Sequence, residues 1–169
     1  MFLLQQILPC GPGRQAEAIK RLHWIHTQMA AHPGCVAAIA AKALGNPYDY
    51  LVLRMFRDYA QYQDFMASPG GQFGRSKPPG IYGSNDIPHN WESMLCTDGA
   101  AAGGFILRAH YRLKPGSLDG FVKNRQQQDT LASWLGGLVR SITLKGLDAD
   151  DTALCILRLK DRAAMEELM

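Results

Sequence analysis

The feature that most constrains this chain is an internal repeat. When the sequence is shifted by 105 − 2 = 103 residues, positions 2–66 align with positions 105–169 without a gap, and 15 of the 65 aligned pairs are identical. Random pairing at average composition would give about 4 identities. The matched pairs include two turn signals, Pro12-Gly13 and Pro115-Gly116. A repeat of this length predicts two tandem copies of one folding unit.

Each copy has the pattern of a strand, a helix, two strands and a second helix. In the first copy, residues 2–9 are strand-like, a Pro-Gly pair makes a turn, and residues 14–32 carry apolar side chains at helical spacing. Two strand-like runs follow, and Asp58 is placed to cap a short second helix. The second copy repeats this order, with a long helix over residues 117–135 and Asp161 in the place of Asp58. The pattern predicts two βαββα units of the α+β class.

An antiparallel sheet with its helices on one side leaves the other side open. Because an apolar sheet face of this size has to be covered, we expect the copies to pack sheet to sheet. Such an α+β barrel would enclose a pocket for a small ligand. The predicted organisation is a first repeat over residues 1–68, a linker over 69–104 with a possible crossing strand, and a second repeat over 105–169.

Composition and charge argue against several classes of partner. The chain is 47% hydrophobic and 20% charged, with a net charge of +3, which is ordinary for a globular protein. It has no block rich in Lys or Arg, so a nucleic-acid partner is not expected. No apolar run approaches the length of a membrane span, and the first ten residues lack the basic start of a signal peptide. The four cysteines form no C-x-x-C pair, which favours reduced thiols and a cytoplasmic location.

Residues 53–73, LRMFRDYAQYQDFMASPGGQF, contain a sequence pattern that is found in one protein family. Phe56 ends the third strand, Asp58 follows, Tyr62 lies on the short helix, and a small Ala-Ser-Pro segment occupies residues 67–69. This pattern resembles the antibiotic biosynthesis monooxygenase (ABM) family of dimeric α+β barrels. The resemblance implies two ferredoxin-like repeats that form a pseudo-dimeric barrel, with a small-molecule site inside each sheet.

The resemblance implies several alternative reactions. Relatives include monooxygenases that oxidise polycyclic phenols to quinones without a cofactor, haem-degrading enzymes, and isomerases of small signalling molecules. In the haem-degrading branch, a histidine on the short helix holds the iron. Here Phe65 fills that position and Leu168 fills its equivalent in the second copy, so another histidine would have to serve.

The strand FILRAHYRL, residues 105–113, is the most informative stretch for chemistry. Alternation places Arg108, His110 and Arg112 on one face. If this face lines the pocket, the two cations favour a neutral His110 that acts as a general base, and the arginines can hold a phenolate or carboxylate. The alternative is a solvated edge strand with its polar side chains outward. These three residues are the candidate catalytic residues.

Four further residues are candidate substrate contacts. They are Asn90, Trp91, Tyr111 and Arg54. The Asn-Trp pair could hydrogen-bond to and stack on a flat aromatic substrate, while the alternative for the indole is packing within the linker. Strand parity alone does not decide where the arginine points.

The chemistry-bearing residues favour an enzyme that needs no bound cofactor. His23 and His26 stand at a spacing that could share a metal, but no third ligand is evident, so no metal site is predicted. We expect a cofactor-independent monooxygenase, an oxidoreductase that oxidises a small aromatic or phenolic molecule with molecular oxygen. The alternatives are a non-catalytic small-ligand-binding or assembly protein and a haem-degrading monooxygenase. A homodimer of the pseudo-dimers is a possible assembly.

Overall fold

The computed structural model describes residues 1–46, 48–76, 89–99, 104–149 and 151–168. The chain divides into two compact units, Met1–Asn90 and Trp91–Met169. Both units combine antiparallel strands with helices, which confirms the predicted α+β class. Within the described residues, no helix has the length and apolar character needed to cross a bilayer.

The first unit is a three-stranded antiparallel sheet with helices packed on it. Its elements are β1 (Phe2–Pro9), α1 (Gln15–Ala30), β2 (Cys35–Lys42), β3 (Asp49–Phe56), α2 (Tyr59–Ala67) and α3 (Pro69–Arg75). β3 is the central strand and pairs with both β1 and β2. Helix α1 packs on the sheet through an apolar stripe of Ala18, Leu22, Ile25 and Met29, as its spacing predicts.

The second unit is built from a four-stranded antiparallel sheet. Its elements are β5 (Phe105–Arg112), α4 (Leu118–Trp134), β6 (Leu138–Gly146), β7 (Thr152–Leu159), α5 (Arg162–Glu166) and, from Trp91 onward, β4 (His89–Asp98). The strand order is β4-β6-β7-β5, so β5 pairs with β7 alone in this sheet. Helix α4 packs on one face, where Ala132 meets Cys155 and Leu157.

The two units share their internal geometry at a constant offset of 103 residues. Phe2 pairs with Phe56 across β1 and β3, and Phe105 pairs with Leu159 across β5 and β7. A register shift at the start of β2 recurs at the start of β6. The two Pro-Gly turns place Gly13 at φ 77° and its equivalent glycine at φ 75°, a left-handed conformation that glycine adopts without a steric penalty. The common turn chemistry therefore starts the long helix of each unit in the same way.

The short second helix of each unit begins at an equivalent aspartate. Asp58 accepts a hydrogen bond from the Gln61 backbone N–H at 2.9 Å, and Asp161 accepts one from the Ala164 N–H at 3.0 Å. Both contacts satisfy an N–H that the helix itself leaves without a partner. The caps predicted from the sequence are therefore present at both positions.

Helix α3 lies in the stretch that the sequence analysis assigned to a linker. Ser68 Oγ accepts a hydrogen bond from Gly71 N at 3.3 Å, and a proline occupies the first turn. Contacts with Arg21 and Trp24 of α1 hold the helix in place. The guanidinium of Arg21 donates to the carbonyl oxygens of Phe73 and Ser76, and the Trp24 and Phe73 rings lie 4.3 Å apart. A sequence rich in glycine is thus held helical by tertiary contacts.

Each sheet has buried side chains on the side away from its helices. On the side away from the helices, Leu3 and Leu53 of the first unit are at most 1% exposed. In the second unit, Leu144 and Leu154 pair across β6 and β7 on the side away from α4 and are 0% exposed.

Candidate active site

The three candidate catalytic residues lie together on β5, as strand alternation predicts, but in an exposed setting. The side chains of Arg108, His110 and Arg112 are all exposed. Arg112 pairs with Asp151 at 3.0 Å, and 87% of the arginine side chain is accessible to solvent. A histidine in this setting is solvated by water rather than held in a dry pocket.

Trp91, a candidate substrate contact, lies against His110, a candidate catalytic residue. The rings of Trp91 and His110 meet edge to face, with their centres 5.0 Å apart. Trp91 is 2% exposed, and its Nε1 has no hydrogen-bond partner among the described residues. Trp91 pairs with Gly146 in the β4–β6 register. Tyr111 follows His110 in β5 and therefore lies on the opposite face of the strand. Its ring is 5.0 Å from that of Phe121.

The other two candidates are Asn90, which precedes Trp91 in the chain, and Arg54 of the first unit. Asn90 is in β4, where the structure describes its backbone and not its side chain. Arg54 is in β3 of the first unit and is only 7% exposed. It shares its side of the strand with Val52 and Phe56, which pack against α1. Arg54 is therefore a buried cation between the sheet and the long helix.

His26 projects from α1 toward the same region. It follows Leu22 by four residues and precedes Met29 by three, so it lies on the apolar stripe of the helix. Burial, and then the positive charge of Arg54 and the nearby His23, lower the pKa of His26 to about 4. The imidazole is neutral at physiological pH, and its buried Nε2 has no hydrogen-bond partner among the described residues. A buried nitrogen in this state can accept a hydrogen bond from a ligand.

An aromatic cluster adjoins this pair in the first unit. It consists of Phe2, His32, Phe56, Tyr59, Tyr62 and Phe65, whose neighbouring rings lie 4.9–6.0 Å apart. Burial raises the pKa of Tyr62, and the charges of Arg54 and Arg75 oppose that rise. Tyr62 is thus a protonated phenol within the electrostatic range of Arg54.

A cavity of about 250 Å³ adjoins the aromatic cluster. Two members of the cluster, His32 and Phe65, form part of its wall, together with Gln28 of α1 and residues 68–70 at the start of α3. The space suits a molecule of one or two rings, since drug-sized ligand pockets begin at roughly 300 Å³. The first unit therefore combines an apolar cavity, a row of aromatic rings and a buried polar pair.

In the second unit, different residues stand at the positions equivalent to His26 and Arg54. Asp129 stands at the place of His26 and is 1% exposed. Its Oδ1 accepts hydrogen bonds from Arg125 at 2.9 Å and from Ser141 at 2.8 Å. Leu157 stands at the place of Arg54. The second unit thus closes the space between helix and sheet with an internal ion pair, and the polar pair of the first unit has no copy there.

Known proteins resemble this chain in their fold and not in their sequence. No family model matches the chain, and no curated protein matches it. A candidate monooxygenase from Fusobacterium nucleatum superposes with a TM-score of 0.86 over 99% of this chain and 79% of its own, at 10% identity. A candidate monooxygenase from Lactobacillus acidophilus has a TM-score of 0.80 over 99% and 80%, at 11% identity. An anthrone oxidase-like protein has a TM-score of 0.66 over 98% and 76%, at 13% identity.

A shorter neighbour gives the fold family its name. A candidate antibiotic biosynthesis monooxygenase from Nitrosomonas europaea superposes over its whole length on 56% of this chain, with a TM-score of 0.53 and 7% identity. The chain has the ABM fold. The sequence resemblance drawn from residues 53–73 is therefore confirmed at the level of the fold.

The resemblance to ABM proteins implies that Phe65 stands where the haem-degrading branch carries its iron-binding histidine. Phe65 is 2% exposed, packs in the aromatic cluster and has no ligand atom in its side chain. The residues at this position do not fit haem. Across the described part of the chain, no three His, Cys, Asp or Glu side chains gather as a metal site would need.

The sequence alone did not bring His26 and Tyr62 together with Arg54 in one candidate site. His26 was considered only as half of a metal pair with His23, which is exposed on the same helix. The available signal was the position of His26 on the apolar stripe of α1. A second signal was that Arg54 shares its strand parity with Val52 and Phe56. Either signal alone is weak, and together they place a cation and an imidazole on facing surfaces.

Proposed function

We propose that this protein is a cofactor-independent monooxygenase that oxidises a small phenolic aromatic molecule with molecular oxygen. The observation that carries the proposal is the neutral His26, whose buried Nε2 has no hydrogen-bond partner among the described residues and which lies in the field of buried Arg54. The likeness in fold to proteins named as monooxygenases, one of them anthrone oxidase-like, supports the same class of reaction.

The substrate binds with its ring against the aromatic cluster and its hydroxyl group toward the polar pair. The rings of His32 and Phe65 in the cavity wall can hold a flat ring by edge and face contacts, because neighbouring aromatic rings prefer these arrangements. The cavity beside Phe65 sets the size limit at one or two rings. These contacts favour an apolar phenol over a sugar, a nucleotide or a charged metabolite.

The polar pair activates the substrate by removing its phenolic proton. His26 Nε2 accepts the proton, and the guanidinium of Arg54 stabilises the phenolate. An imidazole with a pKa of about 4 is a weak base, but a buried cation also lowers the pKa of the bound phenol and reduces the mismatch. Tyr62, which keeps its proton, is a second hydrogen-bond donor for the anion.

Oxygen then serves as the oxidant, and the reaction balances without a cofactor. The phenolate ring gives up electrons to O₂, and a C–O bond forms at the ring carbon para to the phenolate oxygen. The O–O bond and the C–H bond at that carbon break, and the second oxygen atom leaves as water with that hydrogen and the phenolic proton. For a hydroxynaphthalene the sum is C₁₀H₈O + O₂ → C₁₀H₆O₂ + H₂O. The protein supplies binding, deprotonation and charge stabilisation, and the substrate itself supplies the electrons.

The test measures oxygen uptake with a hydroxynaphthalene and with anthrone, and it compares two histidine variants. We expect His26→Gln to lower kcat/KM by about 100-fold or more, the usual loss when a general base is removed. His110→Ala is the matched control, because that histidine is exposed, and we expect it to leave turnover unchanged. In the wild type, the acid limb of kcat/KM should fall near pH 4, the pKa of His26.

Each of the other outcomes assigns the function differently. Loss of turnover in His110→Ala with full activity in His26→Gln would place the base on β5. Saturable binding of the phenol without oxygen uptake would indicate a ligand-binding protein. A Soret band with added haem, together with haem breakdown, would favour the haem-degrading alternative.

A further inference from the structure

The outer face of α4 in the second unit is apolar and exposed. Trp134 is 85% exposed, Leu131 is 54% exposed and Leu135 is 44% exposed. Their spacing of three and four residues puts them on one side of the helix. Trp134 and Leu131 also form the wall of a groove of about 550 Å³, together with Gln127, Thr130 and Ser133. We call this surface the α4 patch.

The equivalent face in the first unit is covered by the chain's own α3. At an offset of 103 residues, Gln127 and Leu131 correspond to Trp24 and Gln28 of α1. Trp24 stacks on Phe73, and Gly70 approaches Gln28 so closely that a Cβ on the glycine would come within 2.9 Å of the Gln28 Cβ. This face of the fold is therefore one that binds a helix, and among the described residues α3 covers it in the first unit alone.

The charge pattern of the α4 patch indicates which partner it accepts. Between Asn124 and Gly136 the charged residues are Arg125 and Asp129, which are buried and paired with each other. The exposed surface of that stretch consequently carries amides, hydroxyls and apolar groups without a net charge. Interface centres are depleted of charge and enriched in tryptophan. An uncharged face can meet an identical face without the repulsion that two charged copies would suffer.

We propose that the α4 patch is a dimer interface at which a second copy of this chain packs its own α4 antiparallel to the first. The groove extends from Gln127 to Trp134, so its centre falls beside Thr130 and Leu131. A two-fold axis there places Thr130 opposite its counterpart and sets each Trp134 at the Gln127 end of the other groove. The assembly closes as a dimer, because each copy uses the same patch.

The first test measures mass by sedimentation velocity over a range of protein concentrations. We expect the wild type to shift toward the mass of two chains as concentration rises, and Leu131→Glu to keep the mass of one chain. Leu44→Glu is the control, because Leu44 is 81% exposed in a turn of the first unit and lies outside the α4 patch. This variant should dimerise like the wild type.

The second test uses two threonines at equivalent positions of the two long helices. Thr130 and Thr27 are both exposed, and each hydroxyl donates to the carbonyl of the residue four before it, at 2.9 Å. Mild oxidation should link Thr130→Cys into a disulfide dimer and leave Thr27→Cys uncrosslinked, because a disulfide requires Cα atoms within about 7 Å.

A wild type that keeps the mass of one chain at every concentration overturns the proposal and leaves the α4 patch to a different partner. A dimer that persists in Leu131→Glu, or that crosslinks through Thr27→Cys, overturns it as well. Neither test depends on oxygenase activity.

Discussion

His26 in α1 and Asp129 in α4 occupy the same position of their two units, 103 residues apart, and both face the sheet from the buried side of a long helix. The first is a neutral base near Arg54, and the second is an acid bonded to Arg125 and Ser141. One backbone position thus carries a neutral base without a hydrogen-bond partner for its Nε2 among the described residues in the first unit, and a buried ion pair in the second.

The shifted pKa of His26 should make the first unit sensitive to acid. Its folded-state pKa of about 4 lies below the unfolded value of 6.5, so the unfolded chain takes up the proton first as pH falls. Stability should therefore decline between pH 6.5 and pH 4, by about 2 kcal/mol because the side chain is partly open to solvent. Urea denaturation across this range should show the decline in the wild type and in His23→Gln. His26→Gln should lose it, and an unchanged pH profile in that variant would contradict the assigned shift.

Removal of the Asp129 charge should strongly destabilise the second unit. Asp129→Asn leaves the buried Arg125 without its counter-charge, and such a change typically costs ~3–5 kcal/mol. Asp151→Asn breaks the exposed pair with Arg112 and should cost less than ~1 kcal/mol. Thermal and chemical denaturation of the two variants would measure the difference, and equal losses would argue against a structural role for the buried pair.

Two glycines of the second unit should respond to alanine in opposite directions. Gly116 has φ 75°, a conformation that costs an alanine ~1–2 kcal/mol, so Gly116→Ala should lower the free energy of unfolding. Gly120 lies in the first turn of α4 with open space where a Cβ would be, so Gly120→Ala should raise it by ~0.5–1 kcal/mol. Equilibrium unfolding of both variants checks the two signs, and a stabilised Gly116→Ala would contradict the positive φ.

The paired helix caps should contribute equally. Asp58→Ala and Asp161→Ala each remove a hydrogen bond of 2.9–3.0 Å to a helix N–H, and each should cost ~1 kcal/mol. Asp58→Asn and Asp161→Asn should retain most of that stability, because an asparagine side chain also caps. If the alanine variants match the wild type in urea, the caps do not contribute to stability.

Much of the fold could be predicted because its signals are local. The Pro-Gly turns, the stripe of α1 and the two aspartate caps each depend on a few neighbouring residues, and the repeat doubled the evidence for them. Helix α3 could not be predicted this way. Its sequence, PGGQFGR, resembles a loop, and its helical form depends on contacts with Arg21 and Trp24 of a distant segment.

The candidate site was less predictable because it joins residues from three elements. His110 drew attention through its two arginine neighbours in sequence, and the structure places that stretch on an exposed strand face. Arg54 was a candidate from the sequence alone, which did not indicate the residues near it. Its relation to His26 and Tyr62 depends on which side of β3 faces α1, and that depends on packing rather than on any local motif.

The constant offset between the units has a consequence for how such a protein evolves. When two identical subunits come from one gene, every mutation appears in both subunits. A change that abolishes a site in one subunit therefore abolishes the same site in the other. Within a single polypeptide each half mutates independently. One half can then become rigid scaffolding while natural selection continues to refine the chemistry of the other.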